Sequence, residues 1–262
     1  HHLMQAPGYE WLTAYAECRF GAKYPDTVVI GIHDVIDKMK MTVSKVDISA
    51  GVELSQKMFG FNGISVDIWK KVEELGYIPC EIKGIPEGMT VPVGTPLLKI
   101  EPTEEWFAPV CNQLETKLMR IWYPITLATS LKSIRDKVTG YYKDTGTLSL
   151  AKYAVNDFSS RSASCDEQGA IAGMVHLLVS GVGGDNCDGQ ARLSELYGDN
   201  HVIQSVWATE HAVALSFGPG EGEYEYAKHQ LRIHKDFTKS IVADTYDYKN
   251  FVEVVMRRPD VL

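Results

Sequence analysis

Short apolar runs that end in polar or acidic residues recur through the second half of this 262-residue chain, and that recurrence most constrains its fold. The stations are Asp157-Phe158-Ser-Ser-Arg161, Gly183-Gly184-Asp185, Glu210-His211 within Ser205–Gly218, and Ile241-Val242-Ala243-Asp244. Strands of a parallel barrel are buried, so they read as apolar runs, and polar side chains gather at their carboxyl ends. Beyond Gly140 helical stretches separate the runs, which is a βα rhythm. The pattern predicts an α/β fold, with a barrel domain over 141–262 and a β-rich α+β domain with bridging helices over 1–140.

The first half has a different texture. Ile68, Val72 and Leu75 mark one apolar helix face that Gly76 can terminate. Turn chemistry at Pro86-Glu87-Gly88 and Pro92-Val93-Gly94 separates two β-prone runs, Glu81–Ile85 and Pro96–Ile100. Val28–Ile32 reads equally as a strand or a helix start, since period alone does not decide it. Val110, Leu114, Leu118 and Ile121 predict a helix interrupted by Pro124, and Leu127, Leu131, Ile134 and Val138 a second one. The acidic stretch Gly218–Tyr226 reads as a solvated turn before a helix over 227–237.

Composition narrows the partners. A formal charge of −8 argues against a general binder of nucleic acid or anionic membranes, so an anionic substrate must be met by a local pocket. The five cysteines are widely spaced without a C-x-x-C pair, which reads as a reduced, cytoplasmic protein. The sequence contains neither an apolar run of about 18 residues nor a signal-peptide pattern at its first residue, so no membrane association is expected. His1-His2 reads either as native sequence or as the remnant of an affinity tag.

Glu17-Cys18-Arg19, Pro86-Glu87-Gly88, Trp122-Tyr-Pro-Ile-Thr126, Asp157-Phe158 with Arg161, Gly184-Asp185, Glu210-His211 and Asp244-Thr-Tyr-Asp247 follow one another along the chain. In that order and approximate spacing they resemble the nicotinamide phosphoribosyltransferases, type II phosphoribosyltransferases, across essentially the whole length. The resemblance implies an incomplete type II α/β barrel joined to a β-rich domain, and a homodimer with active sites at the interface. It implies transfer of a phosphoribosyl group from phosphoribosyl pyrophosphate to nicotinamide in NAD salvage, with Mg2+ and with ATP hydrolysis as a coupled assist. Family members carry a short Asp-x-Tyr-Lys motif before the point where this sequence starts, and continue past residue 262 into an Arg-Pro-Asp-Ser-Gly segment. Arg258-Pro259-Asp260 arrives too soon after Asp244 and lacks Ser-Gly, so it is not assigned to that segment. The sequence is therefore expected to be a fragment, a split gene product or an incomplete record, pairing with another copy or with a companion carboxyl-terminal piece.

Carried over residue by residue, the resemblance gives Phe158 the role of stacking on the pyridine ring, and gives Arg161 that of orienting the base or clamping phosphate. Arg19 matches a phosphate-contacting arginine. Asp185, expected to be buried, would accept from the amide N–H groups of nicotinamide and repel the carboxylate of nicotinate. His211 would be the catalytic residue that takes a phosphoryl group from ATP, with Asp244 holding its tautomer and Glu210 supporting the network. Phe158, Arg161, Asp185, His211 and Asp244 are expected in one pocket. Read without the resemblance, each residue has an ordinary alternative: a core aromatic, a surface arginine, a strand-end ion pair, a turn aspartate or a satisfied core histidine. No zinc-type ligand cluster or Walker loop appears, so magnesium is expected to arrive chelated by pyrophosphate. His33, His176, His201, His229 and His234 read as structural or surface residues. The alternatives are a nicotinate-using relative and a non-catalytic scaffold derived from such an enzyme.

Overall fold

A computed structural model describes residues 11–40, 42–198, 202–233 and 235–261; the histidines at 1, 2, 201 and 234 lie outside them. The chain divides into two compact units, His1–Ile203 and Gln204–Leu262.

In the first unit, β1 (Ala14–Glu17), β3 (Cys80–Gly84) and β5 (Pro96–Pro102) form an antiparallel sheet with β5 in the centre. Ile100 pairs with Ala14 on one side and Ile82 on the other, so the sheet's buried face meets at one residue. A second pair joins β2 (Asp26–Val28) to β4 (Thr90–Pro92), with the glycines of both predicted turns, Gly88 and Gly94, at positive φ. The Val28–Ile32 ambiguity resolves into both alternatives. β2 ends at Val28 and α1 (Ile32–Met39) begins four residues later. Gly31, the residue just before α1, has φ 95°, and a Cβ there would sit 2.4 Å from Cγ of Pro124. Only glycine fits this close approach without displacing its neighbour.

α2 (Lys45–Phe59) opens with a capping box between Ser44 and Asp47. α3 (Val66–Leu75) follows the predicted face, with Val72 buried and Gly76 ending it in the left-handed region. The apolar positions after residue 105 form short helical turns, α4 (Ala108–Cys111) and α5 (Glu115–Leu118), before α6 (Trp122–Thr145). Pro124 falls in the first turn of α6, where its missing N–H removes no helical bond. Phe107, Val110, Leu114, Leu118 and Ile121 close over the sheet as one core. α6 runs through residue 140 and packs on α7 (Asp166–Val179), which packs in turn on α8 (Cys187–Tyr197). Met174, Val175 and Leu193 fill this second core.

In the second unit, β6 (Trp207–Ala208) and β7 (Lys239–Ser240) pair in parallel. α9 (His211–Phe217), α10 (Glu221–Arg232) and α11 (Tyr248–Glu253) surround a core of Ala214, Tyr226, Ala227, Phe251 and Val255. The acidic stretch is not a solvated turn, because α10 starts at Glu221 and buries Glu223 and Tyr226. Glutamates in a first turn suit the positive end of a helix dipole, so acidic composition there favours helix over loop. The fold is mixed helix and strand. Beyond Gly140, the parallel pairing found among the described residues is β6–β7 and a single bridge between Asp157 and Gly184.

Candidate active site

In the first unit the Asp157 and Gly184 backbones meet in that parallel bridge, which brings the stations carrying Phe158 and Asp185 side by side. Asp157 Oδ1 accepts from the Ser159 N–H at 3.0 Å, closing a turn over Phe158. Phe158 is 61% exposed, so its ring is a free face rather than a core aromatic. Arg161 lies in the short 3₁₀ turn that follows, Ser159–Ser162, and is also exposed.

Asp185 is exposed, which corrects the expectation of a buried carboxylate. The cause lies in its neighbours. Gly183 and Gly184 are buried, and Asn186 turns inward to cap α8, which directs the intervening residue outward. Asn186 is the residue that sequence reasoning missed. Its Oδ1 accepts from the Gly189 N–H at 2.9 Å, while Nδ2 donates to Gly169 O at 2.8 Å, Asp157 Oδ2 at 3.0 Å and Ser159 Oγ at 3.3 Å. An asparagine just before a helical run is an N-cap signal, and that much was readable. His176, 2% exposed on α7, lies 2.6 Å by Nε2 from the Gly183 carbonyl, which must accept, so this nitrogen carries the proton. It is structural, as expected, and it fixes the Gly-Gly approach to Asp185.

Arg19 follows β1 and is exposed. The Pro86-Glu87-Gly88 turn is tied to two elements. Glu87 accepts from the His33 N–H at 2.9 Å and from the Tyr197 hydroxyl, linking α1 to the end of α8. Burial, and then the adjacent Glu87 carboxylate, push the Tyr197 phenol upward, so it stays a donor.

In the second unit, His211 and Asp244 come together. Both lie just beyond the carboxyl ends of the paired strands, with His211 Nε2 3.1 Å from Asp244 Oδ1. Their side chains are 61% and 69% exposed, so neither is a satisfied core residue. Glu210 is the N-cap position of α9, and its side chain makes no cap hydrogen bond. Thr209 joins the two strand ends. Its N–H donates to Ser240 O at 3.0 Å, and its Oγ1 accepts from the Val242 N–H at 2.9 Å and contacts the buried Tyr226 hydroxyl at 2.5 Å. That network sets the spacing of the segments bearing His211 and Asp244.

No protein-family model matches the chain. It is 26% identical over 255 residues, 94% of its length, to a nicotinamide phosphoribosyltransferase of Xanthomonas campestris pv. campestris. It is 32% identical over 194 residues, 72% of its length, to a nicotinamide phosphoribosyltransferase of Acinetobacter baylyi. The chain spans 53% and 38% of those relatives' own lengths. Its fold is similar to the crystal structure of human nicotinic acid phosphoribosyltransferase, with a TM-score of 0.53 at 16% identity, over 84% of this chain and 42% of that one. Sequence likeness along nearly its whole length, together with the shared fold, places the chain in the phosphoribosyltransferase family to which these nicotinamide enzymes belong.

Proposed function

We propose that the protein to which this chain belongs transfers a phosphoribosyl group from phosphoribosyl pyrophosphate to nicotinamide, releasing pyrophosphate. The observation that carries the reading is the pairing of an exposed aromatic, Phe158, with an exposed carboxylate, Asp185, on two backbone segments joined at Asp157 and Gly184. A flat pyridine ring would stack on Phe158 and donate its amide N–H groups to Asp185. Seating the base would itself take water from Asp185 and strengthen its rejection of nicotinate. The pyridine nitrogen then bonds to the ribosyl carbon as the carbon–pyrophosphate bond breaks, and the electron pair leaves on pyrophosphate. Arg161 and Arg19 are assigned to the phosphate groups, where a planar guanidinium matches oxygen pairs.

His211 with Asp244 is assigned to ATP coupling. A carboxylate can only accept, so Asp244 favours the tautomer with the proton on Nε2, leaving Nδ1 with a lone pair for the γ-phosphoryl group of ATP. Magnesium in this reading travels with the pyrophosphate. Among the described residues no three His, Cys, Asp or Glu side chains converge to hold a metal ion, and no step is assigned to one. The barrel, the homodimer and a cytoplasmic setting belong to the same proposal, with β6–β7 as rim strands.

The test is mononucleotide synthesis by the full open reading frame, with nicotinamide and nicotinate as rival bases. Nicotinamide mononucleotide formation, stimulated by ATP in the wild type and not in His211→Ala, supports the assignment. Preferential use of nicotinate would overturn the base choice, and no product with either base would favour a scaffold.

A further inference from the structure

We propose that Asn186 is a positioning residue for the pyridine base, acting through Asp157 to hold Phe158 and Asp185 in register; this rests on the base-site reading above. The side chain of Asn186 is 5% exposed and lies where four segments converge. Its amide hydrogens reach the Gly169 carbonyl on α7, Asp157 Oδ2 and Ser159 Oγ, and its oxygen takes the Gly189 N–H at the start of α8. The other oxygen of Asp157 holds the turn over Phe158. The residue beside the aromatic is thus bonded to the residue beside the selecting carboxylate, side chain to side chain.

The packing reserves space for this amide. A Cβ on Gly173 would come within 2.5 Å of Asn186 Nδ2, and one on Gly189 within 2.5 Å of the Gly173 Cα. Two glycines at one helix crossing let α7 and α8 approach while admitting the polar side chain. A single N-cap needs only the asparagine oxygen. The two N–H groups of Asn186 serve three acceptors, Gly169 O, Asp157 Oδ2 and the longer Ser159 Oγ, and the share given to Asp157 and Ser159 does nothing for α8; its consequence is the placement of Phe158. A network anchored on a buried amide, with every member bonded, specifies one arrangement, which a recognition site for a rigid ring requires.

The experiment measures nicotinamide dissociation constants for the wild type, Asn186→Ala, Asp157→Asn, the double variant and Ala172→Gly. Ala172 is buried on α7 beside Gly173, so its glycine variant lowers the stability of that helix without removing a member of the polar network. We expect Asn186→Ala and Asp157→Asn each to weaken binding about tenfold, the double variant no more than the worse single, and Ala172→Gly less than about twofold. Rescue is expected from neither single variant in the background of the other. Unchanged affinity in Asn186→Ala, or equal weakening in Ala172→Gly, would reduce Asn186 to a helix cap and overturn the proposal. A wild type that does not bind nicotinamide would overturn the base-site reading, and the positioning role with it.

Discussion

Replacing Arg192 with methionine should destabilise the first unit, because it removes the main partner of a buried carboxylate. Asp34 has a side chain only 3% exposed, and its Oδ1 receives Arg192 Nε at 2.9 Å and Nη2 at 2.7 Å. The same guanidinium reaches Asp37 at 3.2 Å and Glu195 at 2.6 Å, so one residue of α8 is clamped to α1. Breaking a buried ion pair from one side costs about 3–5 kcal/mol where the remaining charge is uncompensated. Asp34 would still have Lys38 Nζ at 2.8 Å from its other oxygen. That remaining partner lowers the expected loss to about 2–3 kcal/mol, and the more exposed contacts to Asp37 and Glu195 add little. Urea denaturation followed by tryptophan fluorescence reads this unit well, since Trp11, Trp69, Trp106 and Trp122 all belong to it. The midpoint should fall with an unchanged slope. Combining Arg192→Met with Asp34→Leu should recover part of the loss, because the stranded charge is gone. A single variant within about 0.5 kcal/mol of wild type, or strictly additive losses in the double, would refute this account of the α1–α8 clamp.

Other outcomes follow from the same contacts. Gly173→Ala should lower stability by about 1–3 kcal/mol despite alanine's better helix propensity, because its Cβ would meet Asn186; a stabilised variant, read by thermal melting, would contradict the crossing. Burial pushes the thiol of Cys80 up to about 11 and that of Cys111, with a smaller contribution from Cys80, up to about 12. Both folded values lie above the ordinary thiol value, so the stability they contribute is full below that value and is lost as pH rises through the folded ones. Denaturation midpoints should therefore decline above about pH 9, and a Cys80→Ala, Cys111→Ala variant should show a shallower decline. At neutral pH a chromogenic thiol reagent should label exposed Cys165 and Cys187 first, the half-buried Cys18 and Cys80 more slowly, and buried Cys111 only on unfolding. Equal rates at all five would contradict the burial.

The elements that the sequence made legible are those whose signals are local. Ile68, Val72 and Gly76 specify α3 by period and stop signal, and the Pro-Gly turns separate β3 from β5, though the short β4 between them went unread. Pro124 marks the start of α6 for a similarly local reason, its tolerance in a first helical turn. Gly218–Tyr226 misled because glycine and glutamate are common both to loops and to helix starts, and only the burial of Tyr226 against Phe217 and Phe251 distinguishes them. The His211–Asp244 contact joins residues 33 positions apart, and nothing in either local stretch encodes it; the resemblance supplied it. Asn186 was hidden for the opposite reason. Its cap is local, but its bonds to Asp157 and Gly169 depend on a helix crossing that two separated glycines create. The outward turn of Asp185 is a consequence of the same inward neighbour.

The most direct measurement of the central claim is the ratio of kcat/KM for nicotinamide over nicotinate in the full open reading frame, compared between wild type and Asp185→Asn. An asparagine keeps the size of the side chain, removes the charge that repels a carboxylate and adds a donor that can greet one. The account predicts a ratio well above one in the wild type that falls by at least about tenfold in the variant. A ratio that does not move, or a wild type that favours nicotinate, would contradict it.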